Sequence, residues 1–290
     1  MRLAFLTALI LTLATPMAKP LAARDAKDIQ QAGVLTVCAN RDALPVSSDG
    51  ENPGYQLEIT QEMAKRLGVR LRIEWIWAGY QARYTECDMI LGVARDPKPG
   101  GFARYLQSLT DVEILLAFAP GTRLDTPQDL AGMLVAVPST TLAHFRLLDL
   151  GADPRVAYRS DSAILSAIAA GKVQAGVVSS LALGWFRSQH PDLRFDTRST
   201  DILDIEARYP LTIALRHMDS LAESDFQELL TQMRNDGSLQ QILTRYGQTL
   251  SASFDDPYAK VPDSLSEPQG VTVRRDIIEE LQDRVRRQSR

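Results

Sequence analysis

Three features of the 290 residues predict an α/β chain: an opening strand, loop and helix unit between Leu35 and Leu67, a continuing alternation of short apolar runs with amphipathic segments, and glycines where those segments stop. The opening unit organises the rest. Leu35-Thr36-Val37-Cys38-Ala39 reads as a short apolar strand and Asn40 to Pro45 as a polar loop. The turn at Gly54 leads into a helix with Leu57, Thr60, Met63, Ala64 and Leu67 on one face. In an open α/β sheet the loop after the first strand faces the ligand crevice, which makes Asn40, Arg41 and Asp42 candidate binding residues.

Ahead of that unit, residues 1–23 read as an address. Arg2 supplies the positive start, Leu3 to Ala14 is a short apolar run, and Thr15 to Ala23 is rich in Pro and Ala with small residues at a cut after Ala23. The run is too short to span a bilayer comfortably. No Cys lies at the junction, so no lipid anchor is expected, and export to the periplasm is.

Behind the opening unit, Val69, Leu71, Ile73 and Trp75 alternate with Arg70, Arg72 and Glu74, the pattern of a strand with one polar face. Asp88 to Val93 reads as a fully buried strand, and Glu113 to Ala119 as another. Thr126 and Pro127 start a helix. Strand Met133 to Val137, helix Thr140 to Leu150, helix Asp161 to Ala170 and strand Ala175 to Val178 follow, with Gly151 and Gly171 at the helix ends. Leu181 to Gln189 is a helix and Leu211 to Leu215 a strand. Ser220 with Glu223, and Ser238 with Gln241, have capping-box spacing ahead of the helices carrying Phe226, Leu229, Leu230 and Met233 and then Leu239 to Tyr246.

The composition, 45% hydrophobic and 23% charged, suits a soluble globular protein of one or two domains. The formal charge of −4 becomes −6 once Arg2 and Lys19 leave with the leader, which argues against nucleic acid or an anionic membrane as partner. His144, His190 and His217 lie far apart in sequence without ligand spacing, so no metal is expected. Neither a phosphate loop nor a nucleophile, base and acid order is present, so the chain does not read as an enzyme and no cofactor is implied.

In their order, "LTV", the polar loop and "GYQLEITQEMAKRLG" near the start, "TPQDLAGMLVAVPSTT" and "AILSAIAAGKVQAGVVSS" in the middle, and "LTQMRNDGSLQQILTRYG" at Leu230 to Gly247 resemble the periplasmic solute-binding proteins of family 3, the amino-acid-binding class. The resemblance covers about Val34 to Gly247. It implies a two-lobe periplasmic binding protein fold with a discontinuous first lobe (24–118 and 211–250), a second lobe (119–210), two crossings near Ala117 to Gly121 and Arg208 to Thr212, and a ligand in the cleft. A monomer that serves an ABC permease is the corresponding expectation. A narrower resemblance, carried by "VCANRDALP", "ECDMILGV", Gly101-Phe102-Ala103-Arg104 and Leu181-Ala182-Leu183-Gly184-Trp185-Phe186, is to the J-type periplasmic accessory proteins of quinoprotein methanol dehydrogenases. It implies a protein partner, a quinoprotein dehydrogenase, in place of transport.

Family-3 proteins grip a ligand carboxylate with an Arg after the third strand, and Arg104 stands about there; a solvated surface Arg is the alternative. The expected ligand is therefore a small polar, anionic solute. Their second-lobe strand also ends in a carboxylate, whereas this chain has Val178-Ser179-Ser180. Gly92 and Ser179 at strand ends, and Tyr55 beside the first loop, complete the candidate set. Ser139, Thr140 and Thr141 open a helix and either cradle an anion or only cap the helix. Tyr55 and Trp185 either stack on a ligand or pack; Trp75 and Trp77 read as core.

Two cysteines in an exported chain suggest a Cys38 to Cys87 disulfide, with two buried thiols as the alternative. Parallel neighbouring strands would put Cys38 toward one carboxyl end and Cys87 at the other amino end, a gap able to exceed the ~7 Å Cα limit. After Gly247 the chain leaves the family pattern. Ser251 to Gly270 reads as a Pro-containing strap, and Val273 to Arg290 as a charged helix with Val273, Ile277, Leu281 and Val285 in one stripe, docked on the first lobe or on a partner.

Overall fold

The computed structural model describes residues 24–95, 103–205, 208–216, 218 and 220–255. The leader 1–23, the helix expected over 273–290 and most of the strap lie outside them. Helix α1 (Ala26–Ala32) starts at Asp25, whose carboxylate accepts from the Asp28 N–H at 2.8 Å. The opening unit follows as β1 (Val34–Asn40), the short hairpin β2 (Asp42–Ala43) and β3 (Ser47–Ser48), and α2 (Tyr55–Leu67). The apolar face read from the sequence is the buried one: Leu57, Thr60, Met63 and Ala64 all face the core. Strand β4 (Arg70–Ile76) lies at the sheet edge on β1, as its polar face requires.

Strand β5 (Met89–Ala94) is not buried throughout. Met89 and Leu91 are buried, but Gly92 and Ala94 are exposed, because the carboxyl end of the strand opens into the cleft. Strand β6 (Ala103–Tyr105) pairs with the far strand β12 (Arg208–Arg216). Between them come β7 (Thr110–Phe118), a 3-10 turn at Pro127–Leu130, β8 (Leu134–Ala136), α3 (Leu142–Asp149), β9 (Asp153–Arg155), α4 (Asp161–Ala169), β10 (Ala175–Ser179), α5 (Ser180–Gln189) and β11 (Asp196–Ser199). Gly151 and Gly171 take positive φ after α3 and α4.

The main strand order is β4-β1-β5-β12-β7-β10-β8-β9, and the lobes divide along β7. Its Thr110 to Glu113 pair with Leu211 to Arg208 of β12, whereas Ile114 to Phe118 pair with β10 and β11. The first crossing therefore falls at Glu113 and Ile114, ahead of the 117–121 stretch, and residues 114–118 belong by pairing to the second lobe. The difference has a simple cause: β7 is one continuous strand through the change of partners, polar and alternating over Thr110 to Glu113 and apolar from Ile114 to Phe118. The second crossing is the first half of β12.

The first lobe packs Leu35, Val37, Ile59, Met63, Phe226 and Leu230 into one core. The second has a core on each face of its sheet. Leu116, Val135 and Val177 point to one side and their neighbours Ala117, Ala136 and Val178 to the other, the period-two alternation of a sheet covered on both faces.

Helices α6 (Ser220–Asn235) and α7 (Ser238–Arg245) close the first lobe. Neither expected capping box sits at a helix boundary. Ser220 and Ser238 are already inside their helices, Glu223 accepts from Arg104 at 2.8 Å, and the Asp236 carboxylate takes the Ser238 N–H at 3.0 Å. That bond, the Ser238 hydroxyl and Arg66 pull the Asp236 pKa down to about 2.

Cys38 and Cys87 form a disulfide with Cα atoms 5.6 Å apart. The gap expected from straight parallel strands does not arise. Before β5 begins, the chain turns onto β1 beside Thr36, whose carbonyl accepts from the Asp88 N–H at 2.7 Å.

Candidate functional site: the cleft between the lobes

A cavity of about 440 Å³ lies where the two lobes meet, a volume suited to a small solute. Its first-lobe wall is the loop from Asn40 to Ser47 with the open end of β5, Ile90 to Ala94. Its second-lobe wall is the start of α4, Arg159 to Ser162, with Ser179, Leu181 and Ala182. Val112, Tyr209 and Leu211 of the crossing strands form the back. A larger hollow, about 890 Å³, lies on the outside of the first lobe between α2 and α7. It belongs to one lobe, and its acids are already engaged, Glu58 by Arg245 and Tyr246 and Glu62 by Lys65 and Arg66. The smaller cavity is the candidate site.

The first wall is held by its own polar groups. Asn40 donates to the Trp77 carbonyl at 3.1 Å and accepts from the Asp42 N–H at 2.9 Å, so its amide shapes the loop. The Ser47 hydroxyl donates to the Asn40 carbonyl at 2.8 Å. The Gly92 N–H, at the cavity edge, donates to the Gln56 side chain at 2.6 Å. Asp42 is exposed on this wall, while Arg41 pairs with Asp49 at 3.5 Å and lies over Trp77.

On the opposite wall stands a carboxylate absent from the expected set. Asp161, the first residue of α4, accepts from the Ser179 N–H at 2.8 Å and from the Ser179 hydroxyl at 2.7 Å, both on Oδ2. Burial raises its pKa, the two Ser179 bonds hold it down in part, and Asp42 across the cleft raises it further. Tyr209 behind them is raised by burial and by the Asp161 charge. The second-lobe strand that seemed to lack an acid thus ends beside one supplied by a neighbouring helix 18 residues earlier. The Ser-Asp pair at 160 and 161 was legible only as a helix start, because Ser160 does cap α4, accepting from the Ala163 N–H at 3.2 Å.

Several expected site residues stand elsewhere. Arg104 is on β6, outside the cavity lining, in an ion pair with Glu223 of α6 at 2.8 Å. Among the described residues, the cation that does line the cleft is Arg159. Tyr55 is fully buried, its hydroxyl 2.7 Å from that of Thr110, and burial pushes its pKa up to about 12. Ser139, Thr140 and Thr141 also lie outside the lining. Thr141 caps α3, its hydroxyl accepting from the His144 N–H at 3.2 Å, and Thr140 takes φ 60° while donating its N–H to His144 Nδ1.

Trp185 packs on Tyr246 with centroids 5.4 Å apart. Trp77 is not core: it is 43% exposed at the cleft mouth, with Arg41 of the first lobe 5.3 Å and Arg159 of the second 5.6 Å from its ring centre. Asn40, Asp42, Gly92 and Ser179 are the expected residues that do line the cavity. Among the described residues no group of three metal-ligating side chains is present, and no helix is long and apolar enough to cross a membrane.

This architecture is the two-lobe periplasmic binding protein fold. Neither a protein-family model nor a curated protein sequence matches the chain. Solved structures do. A mutant of ArgBP from T. maritima superposes with a TM-score of 0.63 at 20% identity, covering 77% of this chain and 98% of its own. An ABC uptake transporter substrate binding protein from Streptococcus pneumoniae with bound histidine gives 0.64 at 12% identity, covering 78% and 97%. The ancestral amino acid-binding protein AncCDT-1, a precursor of cyclohexadienyl dehydratase, gives 0.61 at 18% identity, covering 76% and 98%. At these identities the likeness establishes the fold.

Proposed function

We propose that this chain is an exported solute-binding protein, freed of residues 1–23, that captures a small polar solute between its lobes, performs no chemistry on it, and delivers it as a monomer to an ABC permease. The observation that carries the reading is the charge pattern of the cleft: among the described lining residues, one cation, Arg159, stands beside Asp161 and opposite Asp42. An anionic group on the solute meets Arg159, which lines the cavity and offers two parallel donors to a carboxylate, rather than Arg104, which lies outside it in the pair with Glu223. Asp42 and Asp161 face one another across the cleft, and the Asp42 charge raises the pKa of Asp161, so a positive nitrogen placed between them is favoured. The solute class is thus a small zwitterion, an amino acid or close analogue, rather than a simple anion. The amino-acid binders among the structural neighbours are consistent with it.

A thermal-shift screen tests this with amino acids, their decarboxylated amines and their deaminated acids. A ligand that binds only the folded form adds about 2.7 kcal/mol at a hundred times Kd. Compounds carrying both groups should raise Tm, and Arg159→Ala and Asp161→Asn should each abolish the shift while Arg104→Ala keeps it. Loss of the shift with Arg104→Ala alone would return the carboxylate to β6. A cleft that answers to no small molecule would leave the accessory role beside a quinoprotein dehydrogenase.

A further inference from the structure

We propose that the turn from Trp77 to Tyr84 is a rigid prong that docks a folded protein partner, one that presents an apolar pocket within an acidic rim. Trp77, Tyr80 and Tyr84 are 43%, 61% and 78% exposed, so three large rings crowd into eight residues at the edge of the first lobe. Single exposed apolar side chains are ordinary; a cluster is not.

The backbone beneath the rings is fixed from several sides. Arg216 of β12 donates to the carbonyls of Ala82 and Thr85, and to that of Arg83 at 3.2 Å. The Gln81 side chain accepts from the N–H groups of Trp77 at 2.7 Å and Ala78 at 3.1 Å. The Thr85 hydroxyl donates to the Ala82 carbonyl at 2.8 Å, Ala82 is buried against Ile76, and the Cys38 to Cys87 disulfide anchors the exit. A surface turn tied down this heavily holds its rings in one arrangement before any partner arrives, which lowers the ordering cost of association.

Composition and charge then define the partner. Tyr, Trp and Arg dominate the residues that carry binding energy at protein interfaces. Arg83 stacks over both tyrosines, 6.0 and 5.7 Å from their ring centres, and Arg159 stands over Trp77 at the other end of the prong. Among the described residues neither guanidinium is in an ion pair with a carboxylate. Two such cations flanking an aromatic patch call for carboxylates on the facing surface. Tyr80, Arg83 and Tyr84 lie outside the cavity lining, so the outer part of the prong is separate from solute capture, while Gly79 and Arg159 at its inner end are shared with it.

The test places the photoreactive residue p-benzoylphenylalanine at Tyr84 in the full chain, in the cells that produce it, with Leu221 on α6, itself 69% exposed, as the control position. The crosslinked protein is identified, purified and titrated against the wild type and the variants Tyr84→Ala, Arg83→Glu and Leu221→Ser. One partner is expected, with Kd raised about 30-fold by Tyr84→Ala, the scale of a hot-spot truncation. Arg83→Glu should act at least as strongly and flatten the salt dependence. Leu221→Ser should bind like the wild type, and all three variants should melt within a few degrees of it, since all three side chains are exposed. Crosslinking no stronger than at Leu221, a crosslink to a second copy of this chain, or variants that bind within about twofold of the wild type would each overturn the proposal.

Discussion

Replacing Gly54 with Ala should cost far more than the same change at Gly33, and the difference measures how tightly the cleft loop is clamped to α2. Both glycines have positive φ, 93° at Gly54 and 67° at Gly33. A Cβ at Gly33 meets nothing within 4 Å, so Gly33→Ala carries only the left-handed backbone penalty, roughly 1–2 kcal/mol. A Cβ at Gly54 would stand 2.5 Å from the carbonyl carbon and oxygen of Val46 and from the Ser47 nitrogen. Those are backbone atoms and cannot rotate away.

Relief at Gly54 requires separating the two segments. That move breaks the bonds from the Tyr55 N–H to the Pro45 carbonyl at 2.8 Å and from the Gln56 N–H to the Val46 carbonyl at 3.1 Å. With roughly 1–3 kcal/mol for the dihedral and about 1 kcal/mol for each bond, the cost comes to about 4 kcal/mol. Urea unfolding of the two variants at pH 7 reads the difference, expected at about 2–3 kcal/mol with m unchanged. Equal destabilisation at the two sites would refute the clamp. If Gly54→Ala stays folded, its solute-dependent Tm shift should also shrink, since Pro45 to Ser47 line the cavity.

Gly176→Ala probes the second lobe: its Cβ would lie 2.2 Å from Ile164 Cγ2 and 3.2 Å from Ile168 Cδ1, so overpacking should cost about 1–3 kcal/mol, with Ile164→Ala in the double variant recovering part of it. No recovery would mean that α4 does not rest on β10 through this contact. Asp161 bears on pH. A carboxyl raised on folding binds protons where the unfolded chain has already lost them, so it makes stability fall as pH rises from the usual carboxylate value through the raised one. Asp161→Asn should therefore flatten the stability profile in that window and leave the unliganded protein at least as stable as the wild type near pH 7. Asp88 is raised by burial too and stays in both proteins, so the comparison isolates Asp161. An Asp161→Asn profile parallel to that of the wild type would place the carboxyl in water.

What periodicity can report was legible in the sequence. Leu57, Met63, Phe226, Leu230 and Met233 recur at helical spacing, and all of them are buried. What lies in pairings between distant segments was not. Arg104 looked available because its partner Glu223 comes 119 residues later, brought to it by β6 lying on β12 ahead of α6. Asp161 looked like an ordinary first-turn acid because its distinction is the Ser179 beside it on β10. Trp77 extends an alternating apolar strand that ends at Ile76, one residue short of it. The crossing at Glu113 and Ile114 escaped for a related reason, since which strands pair with the two halves of β7 is set by segments distant in sequence.

On the proposed reading, the charges of the cleft make closure depend on the solute. In the structure Arg159 and Arg41 both stand over the Trp77 ring, so the lobes touch at the mouth through a ring shared by two cations. An exposed contact of this kind is worth about 0.5–1 kcal/mol, enough to bias the lobes and too little to lock them. Asp42 and Asp161 act in the opposite sense, because the Asp42 charge raises the cost of ionising Asp161 across the cleft. A zwitterion changes both terms together. Its ammonium lies between the acids and removes their repulsion, and its carboxylate offers Arg159 a charge-assisted bidentate bond of about 1.5–3 kcal/mol, stronger than the ring contact it replaces. A simple anion satisfies Arg159 and adds a third negative charge near the two acids; a simple amine relieves the acids and leaves Arg159 on Trp77. Only a solute with both charges satisfies Arg159 and the acids at once, and the ammonium meets both Asp42 and Asp161 only with the lobes together, so closure and selectivity arise from the same three side chains.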